Sequence, residues 1–503
     1  MSPTLIISCI AGYFSVLLLI AWWTSRNADS KGYFLGNKSS PWYAVAFGMI
    51  SDSLSGVTFI SVPGAVGASN FSYLQLVLGY VVGYYVIGSV LLPLYYRLNL
   101  TSIYTYLLQR FGAYSQKTGS FFFLLSRTLG AAGRLFLAAG VIQLFVFDHF
   151  GVPFWLSVSV IIILMLVYTY KGGIKTLVWT DTFQSAFLLL GVVLSIAAIS
   201  SELNLSFAGM TETVANSTYS KVFFWDWQAK SFFPKQFFGG MFIAIVMTGL
   251  DQNMMQKNLS CKSLGDAQKN IYWFSIVMAI VNVFFLSLGA LLYAYSESKG
   301  IAIPAKTDNL FPMLALQHLG TFAGLVFIIG LTAATFSSAD SVLTTLTTSF
   351  YIDFLDAENK DYSEKKKTTI RHIVHISFAV ILLLVILVFK AMNNAAIIDT
   401  VLMLAGYTYG PLLGMFAFGL FSKQKVNDKL VPLVCVLAPA ICYALGNFVF
   451  LFNELSCSVS PLCCYFIRLT SNDWLGGYQF GNELLLLNGT LTYLGLWVIR
   501  KKN

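Results

Sequence analysis

Charged residues are scarce in this chain. They make up 11% of its 503 residues, whereas hydrophobic residues make up 57%. A soluble domain has about a quarter of its residues charged, so this composition excludes an ordinary soluble fold. The formal charge of +9 does not indicate a nucleic-acid partner, because the basic residues lie between apolar runs and form no single patch. The composition therefore predicts a polytopic membrane protein.

Residue types typical of catalytic and metal centres are also few. The chain has four histidines and seven cysteines, and neither set has the spacing of a metal site or a nucleophile–base pair. A disulfide within residues 457–464 is compatible with the sequence only if that loop lies outside the cell. No phosphate-binding loop is present. The sequence thus argues against an enzyme, and it indicates neither a cofactor nor an obligatory protein partner.

Apolar runs of about 20 residues, the length that crosses a bilayer as a helix, occur thirteen times. They cover residues 4–23, 41–66, 73–96, 118–147, 152–170, 177–199, 233–256, 271–296, 321–352, 369–390, 395–421, 430–452 and 482–499. No basic segment precedes the first run, so we expect a retained anchor and not a cleaved signal. Lys and Arg are roughly three times as frequent in one set of loops, which predicts an outer N-terminus and a cytoplasmic C-terminus. Lys257 is counted in a cytoplasmic loop.

Two of these spans are interrupted by polar residues and glycine. Residues 51–56 interrupt the second span and residues 248–253 interrupt the seventh, five spans later. Broken helices at matching positions in two halves are typical of an inverted repeat with its binding site at the midplane. Packing sites made of small residues are the alternative, but each break also contains an aspartate. We predict repeats over 41–199 and 233–421, an extra helix at 4–23 and two more within 430–499.

The ninth span has one polar helical face. Steps of three and four residues align Ala334, Ser337, Ser338, Ser341, Thr345 and Thr348. Asp340 borders this face, and a carboxylate in hydrocarbon is costly unless it faces a cavity, an ion or a partner. Such hard oxygen ligands suit a small alkali cation. The alternative is that Ser and Thr bond the carbonyls of their own helix.

Four polar segments in and beside the spans belong together. They are residues 52–55 with Thr58, residues 171–173 with 179–184, residues 250–252 with 256–259, and residues 336–338. Together they resemble the sodium:solute symporter family, whose members resemble the leucine-transporter fold. The resemblance implies an all-α polytopic membrane protein of about thirteen transmembrane helices, with a five-plus-five inverted repeat and two broken helices. It also implies a single transporter domain over residues 1–503, in the plasma membrane, or the inner membrane of a bacterium.

The resemblance implies ligands for a coupling Na+. They are the carbonyls of Ser51, Leu54 and Ala334 and the hydroxyls of Ser337 and Ser338. Some members hold a second cation, which here implies Asp181, Asp340 and Ser341. Those members have a hydroxyl where this chain has Asp340. A second Na+, a shared proton and a pairing of Asp340 with Arg127 therefore all stay open, although we expect Arg127 to pair internally.

The resemblance also implies a solute site between the two broken helices. Its candidate contacts are Ser53, Ser55, Thr58, Gln75, Arg134, Asp251 and Gln252. Arg134 stands where family members that carry sialic acid have an arginine, and its planar guanidinium suits a carboxylate. The alternative is an internal salt bridge from Arg134 to Asp52 or Asp251, because charges inside membranes often pair with one another.

The resemblance thus implies a Na+-coupled symporter that imports a small polar solute, such as the carboxylated sugar sialic acid, by alternating access. A neutral sugar or polyol is the alternative solute. A membrane enzyme using Asp181 and Asp340 as acid and base is a second alternative, and a sensor is a third. A sensor would need a signalling domain, and we expect none, because the sequence ends at residue 503.

Overall fold

A computed structural model describes residues 3–25, 30–392, 397–452, 465–470 and 480–501. The α-helices are Pro3–Ser25, Ser30–Leu35, Trp42–Ser53, Gly56–Ser69, Tyr73–Val86, Leu92–Arg97, Thr105–Arg110, Ala113–Phe145, Phe154–Glu202, Phe207–Ala215, Phe233–Ala244, Gln252–Leu259, Leu264–Ser298, Leu310–Met313, Gly320–Ser349, Glu364–Met392, Ile397–Phe421, Val431–Gly446 and Leu484–Val498. One antiparallel strand pair joins Asn447–Phe452 to Tyr465–Thr470. All three cysteines of the loop in which a disulfide is possible, residues 457–464, lie outside the described residues.

Short non-α turns connect or extend several of these helices. Turns of π-helix occur at Ile87–Leu91, Ile245–Gly249, Leu314–His318 and Phe350–Phe354, and turns of 3-10 helix at Gly36–Lys38, Phe147–Phe150, Thr307–Asn309 and Asp428–Leu430. Gly173 divides the longest helix, Phe154–Glu202, into two spans. Its φ of 52° lies where a residue without Cβ is favoured, which explains the separation of the fifth and sixth predicted spans.

The helical, polytopic class predicted from the sequence is confirmed. Among the described residues, eight helices are long and apolar enough to cross a membrane, and two bent pairs raise the number to ten. Shorter apolar helices cover Phe154–Tyr170 and Leu484–Val498, and Ile397–Phe421 is also helical. Each of the thirteen predicted segments therefore contains a helix. The strand pair is an addition, and it overlaps the end of the segment predicted at 430–452.

Both predicted breaks are present. We call Trp42–Ser53 with Gly56–Ser69 the first broken helix, whose halves meet at 58°, and Phe233–Gly249 with Gln252–Leu259 the second broken helix, whose halves meet at 62°. In the first, Leu54 and Ser55 leave the helical region, with ψ values of 82° and 176°. Each break ends one helix and starts another, so it exposes carbonyls on one side and amides on the other.

The helix Gly320–Ser349, called the hydroxyl-rich helix below, lies in the middle of the molecule. Every residue from 330 to 349 is buried. It packs against Phe154–Glu202, Ala113–Phe145 and both broken helices. A helix buried on all sides is apolar all round or has internal partners for its polar groups. The alternative that its hydroxyls bond carbonyls of their own helix is realised at six positions, whereas the Ser337 hydroxyl donates to Ser51 of the first broken helix. The six are Thr332, Thr335, Ser338, Thr345, Thr347 and Thr348.

Lys257 corrects one prediction. The sequence placed it in a cytoplasmic loop, but it lies in the helix Gln252–Leu259 with 1% of its surface exposed. The prediction was wrong because the second broken helix continues past residue 256 and is buried along this whole half. Its polar side chains have neighbouring helices, and not water, as partners.

The helix Tyr73–Val86 packs very closely on the second broken helix, which gives a test of the fold. A Cβ at Gly79 would lie 2.0 Å from the Phe237 carbonyl oxygen. Gly79→Ala should therefore lower stability by about 1–3 kcal/mol, as overpacking does, measured as thermal unfolding of the purified protein in detergent. Gly12→Ala is the matched control, because nothing lies within 4 Å of a Cβ at that position. Equal melting temperatures for the two variants would contradict the packing.

Candidate functional site

The break of the first broken helix lies against the hydroxyl-rich helix. The Ser337 hydroxyl donates a hydrogen bond to the Ser51 hydroxyl at 2.6 Å. The Ser338 hydroxyl donates to the Ala334 carbonyl at 2.9 Å. These four residues and Leu54 are at most 2% exposed. The structure thus brings predicted Na+ ligands of two elements together, while their ligation of Na+ stays a prediction.

Close backbone approach explains how the two elements meet. A Cβ on Gly56 would lie 2.8 Å from the Thr335 hydroxyl oxygen and 3.3 Å from Ala138 Cβ. The absence of a side chain at Gly56 therefore lets the second half of the broken helix begin directly on its neighbours. Any larger residue would push the break away from the hydroxyls of the hydroxyl-rich helix.

A third helix, Phe154–Glu202, holds the break from the other side. The Ser51 amide donates to the Ser185 hydroxyl at 3.0 Å, and the Ser51 hydroxyl donates to the Asp181 carbonyl at 3.2 Å. The Ser51 hydroxyl is also 3.0 Å from the Gly48 carbonyl. Oxygen atoms of three helices thus converge at one buried point, the kind of environment that a hard cation prefers.

A buried ion cluster lies beside this point. The Lys257 ammonium donates to Asp52, to Asp181 Oδ2 at 2.5 Å and to the Ser341 hydroxyl at 2.9 Å. The nitrogen of the Gln184 amide, in the orientation that satisfies its hydrogen bonds, donates to Asp181 Oδ1 at 3.0 Å. Buried ion pairs are favourable only with such additional hydrogen bonds. Lys257 therefore lies where two of the predicted ligands of a second cation meet.

Sequence reasoning missed Lys257 as a member of this site. One signal was available, because Lys257 is one residue past the predicted span 233–256 and inside a segment that carries the family resemblance. A lysine there can reach back into the membrane domain, and charges at that depth pair with each other. Lys257 was instead counted among the basic residues of a cytoplasmic loop, so this possibility was not considered.

Asp340 has a different environment from Asp181. The Tyr168 hydroxyl donates to Asp340 Oδ2 at 2.6 Å, and the Ser341 amide is 2.5 Å from Oδ1. In the described part of the chain Asp340 forms no ion pair. The open alternative of a pairing with Arg127 is therefore wrong, because Arg127 lies beside another carboxylate.

Arg127 pairs with Asp251 at the second break. Its Nε lies 2.5 Å from Asp251 Oδ2, and its Nη2 donates to the Met247 carbonyl at 3.1 Å. The Tyr409 hydroxyl also donates to Asp251 Oδ2 at 3.0 Å. Asp251 Oδ1 accepts from the Met254 amide at 3.2 Å and so caps the helix that follows. The expected internal pairing of Arg127 is confirmed.

Three predicted solute contacts have protein partners. Gln75 donates to the Ser231 carbonyl at 2.9 Å. Gln252 donates to the Thr101 carbonyl at 2.8 Å and accepts from the Ile103 amide at 2.9 Å. The Asp251 carboxylate accepts hydrogen bonds from Arg127, Tyr409 and the Met254 amide. These side chains position loops and the second break, and contact with a solute stays a prediction for them.

The other predicted solute contacts lie at the first break. Ser53, Thr58 and Arg134 are partly exposed, and Ser55 is buried. Arg134 Nη1 lies 3.4 Å from the Asp52 carbonyl, a long hydrogen bond. Unlike Arg127, Arg134 forms no ion pair within the described residues, so the alternative of an internal salt bridge to Asp52 or Asp251 is not realised. Its guanidinium retains donors for a ligand.

Comparisons with known proteins agree with this arrangement. A model of the Sodium:solute symporter family matches residues 33–429. The sodium/sialic acid symporter NanT of Aliivibrio fischeri is 24% identical over 446 residues, which cover 85% of each chain. The sodium-coupled monocarboxylate transporter 2 of Danio rerio is 24% identical and covers 84% of this chain and 68% of its own.

One solved structure shares the whole fold. It is described as the substrate-bound, outward-open state of a Na+-coupled sialic acid symporter. It superposes with a TM-score of 0.80 at 20% sequence identity and covers 99% of both chains. At this identity the likeness establishes the architecture and leaves the chemistry of individual side chains to the geometry described above.

The Arg127–Asp251 pair gives a test of the second break. Arg127→Met leaves Asp251 buried with its charge unpaired, and breaking a buried pair costs about 3–5 kcal/mol. Thermal unfolding in detergent should show this loss, and the double variant with Asp251→Asn should recover part of it. Lys367→Ala is the control, because its contact with Glu364 is a surface pair at 3.7 Å worth about 1 kcal/mol or less. Similar losses for both single variants would contradict the structure.

Proposed function

Because this chain belongs to the sodium:solute symporter family, we propose that the solute it imports together with Na+ is a carboxylated sugar such as sialic acid. The chain is a multi-pass membrane transporter and not an enzyme, and Na+ is its coupling ion. We place it in the plasma membrane with an outer N-terminus and a cytoplasmic C-terminus. Rocking of one helix bundle then opens the inner side during transport.

Arg134 carries the proposal for the solute. It is partly buried beside the first break, and its guanidinium has five N–H donors in a planar fork. The structure gives one of them a long bond to the Asp52 carbonyl. A cation at membrane depth is costly without a counter-ion, so a solute carboxylate that binds the fork in bidentate fashion would stabilise the site.

The geometry also supports a coupling mechanism. Na+ held by the carbonyls of Ser51 and Leu54 and the hydroxyls of Ser337 and Ser338 fixes the first break against the hydroxyl-rich helix. Ser53, on the same break, then presents its side chain to the solute site. Na+ binding therefore increases solute affinity, and the reverse follows by linkage. Each net positive charge carried inward contributes about 2.3 kcal/mol per 100 mV of membrane potential.

A small monocarboxylate is a second candidate solute. Relatives named as monocarboxylate transporters match this chain at an identity similar to that of the sialic acid symporter. Both solutes have a carboxylate for Arg134, whereas a neutral sugar or polyol has none. Competition for uptake by sialic acid, lactate and a neutral hexose separates the three. We expect only sialic acid to compete strongly.

Uptake of labelled sialic acid into proteoliposomes tests the role of Arg134. Arg134→Gln should lower uptake at limiting solute by at least tenfold, because a charge-assisted bidentate contact is lost. Lys117→Gln is the matched control, an exposed cation on the same helix, Ala113–Phe145, and should transport normally. Unchanged uptake by Arg134→Gln would overturn the proposed solute contact.

Na+ dependence tests the first cation site separately. Replacing external Na+ with choline should abolish uptake. Ser338→Ala should raise the Na+ concentration needed for half-maximal uptake, because one oxygen ligand is removed, while the solute affinity at saturating Na+ changes little. Ser159→Ala is the control, because Ser159 is partly exposed and its hydroxyl donates to the Trp155 carbonyl of its own helix. An unchanged Na+ requirement in Ser338→Ala would contradict the ligand assignment.

A further inference from the structure

The ammonium of Lys257 occupies the place expected for a second coupling cation. Of the three residues implied for that cation, Asp181 and Ser341 both bond to Lys257 Nζ. We propose that Lys257 is the second cation of this transporter, tethered to the chain, and that one Na+ is carried per solute. The inference rests on the proposed Na+-coupled function and specifies its stoichiometry.

The hydrogen bonds of Lys257 are complete. An ammonium has three donors, and they meet three acceptors, on Asp52, Asp181 and Ser341. The Lys257 side chain is 1% exposed and those of both aspartates 0%. Asp181 Oδ2 accepts, in addition, from the Ser341 hydroxyl at 3.3 Å. A Na+ bound to the same oxygens would have to displace the ammonium or lie beside a like charge.

Asp340, the third residue implied for the second cation, does not complete a Na+ site either. Asp340 replaces a hydroxyl of the family pattern, and its Oδ2 accepts from Tyr168 at 2.6 Å. Tyr168 and Asp181 come from the two halves of Phe154–Glu202, so the carboxylates of Asp340 and Asp181 have separate partners. Each side-chain oxygen of Asp181, Asp340 and Ser341 already has a hydrogen-bond partner in this part of the structure.

Tethering has a consequence for energy coupling. A lysine that stays on the protein pairs with both carboxylates and offsets one of their two negative charges, but it is not released into the cytoplasm. It therefore supports the geometry of the site without adding driving force. One Na+ moving with one sialic acid monoanion carries no net charge, whereas two Na+ with the same anion carry one positive charge. The membrane potential thus distinguishes the two stoichiometries.

Equilibrium binding of radioactive 22Na+ to the purified, native chain is the first test. We expect one Na+ per chain at saturation, and loss of that ion in a Ser337→Ala/Ser338→Ala variant. Two Na+ per chain, with one lost in Asp181→Asn, would overturn the inference. This measurement needs no solute, so it stands even if sialic acid is not transported, a result that would refute only the proposed solute.

Lys257 variants give the second test. Lys257→Met leaves Asp52 and Asp181 without their cation, and we expect it to bind a second Na+ at high Na+ concentration. Lys257→Arg retains a cation and should bind one. If Lys257→Met does not fold, the double variant Lys257→Met/Asp52→Asn removes one charge of each sign and should bind a second, weaker Na+. If every folded Lys257 variant binds only one Na+, the proposal that the Lys257 ammonium takes the place of a second Na+ is contradicted.

Voltage gives the third test, in proteoliposomes that take up sialic acid. With K+ and valinomycin setting the potential, uptake by the native chain should not change between 0 mV and an inside-negative potential. Faster uptake at the negative potential would show net positive charge movement and would overturn the one-Na+ stoichiometry. Absence of any Na+-dependent uptake of sialic acid would instead refute the proposed solute, and the 22Na+ count would still decide the stoichiometry.

Discussion

The ion cluster of Lys257 with Asp52 and Asp181 connects the elements on which the site depends. Lys257 comes from the second broken helix, Asp52 from the first, Asp181 from Phe154–Glu202, and Ser341 from the hydroxyl-rich helix. Removing one member of a buried pair costs about 3–5 kcal/mol, because the remaining charge is left in a medium that does not solvate it. One side chain thus fixes the relative positions of four helices at the centre of the membrane domain.

The two breaks differ in how their backbone groups are satisfied. At the second, Tyr95 donates to the Gly249 carbonyl at 2.8 Å and Tyr104 to the Leu250 carbonyl at 3.1 Å. Arg127 adds a bond to the Met247 carbonyl. Protein side chains therefore satisfy this break, which makes it a fixed structural element.

The first break is held differently. Its contacts on the Phe154–Glu202 side involve the amide and hydroxyl of Ser51, and one carboxylate oxygen, Asp52 Oδ1, is buried without a hydrogen-bond partner. Arg134 lies at the same break with donors to spare. Unwound backbone in a membrane persists where it lines a binding cavity. These features support the proposal that Na+ and solute bind at the first break.

The sequence predicted features that depend on local composition. Asp, Ser and Gly inside an apolar run indicate a break, and hydroxyls at helical spacing indicate a polar face, so both broken helices and the hydroxyl-rich helix were predictable. The partners of these groups were not. Tyr168 reaches Asp340 across 172 positions and Lys257 reaches Asp52 across 205, and no local pattern encodes such contacts. Gln75 and Gln252 are polar side chains inside predicted spans, as solute contacts would be, but they donate hydrogen bonds to loop carbonyls.

The count of Lys and Arg in loops also assigned Lys257, the central residue of the ion cluster, to the wrong place. Basic residues near span ends usually mark the cytoplasmic side, and this rule assigned Lys257 to a loop. The burial of Lys257 follows from the structure, in which the whole helix Gln252–Leu259 after the second break is buried. A charged residue next to a broken span is therefore better considered as a partner for the carboxylates of other breaks before it is counted as a topology signal.

A cryo-electron microscopy map of the chain at saturating Na+ and sialic acid would show how many cations bind and where Lys257 lies. We expect one Na+ density among the oxygens of Ser51, Leu54, Ala334, Ser337 and Ser338, with the Lys257 ammonium still between Asp52 and Asp181. A second ion density bound by Asp181 and Ser341, with the Lys257 side chain turned away, would contradict it.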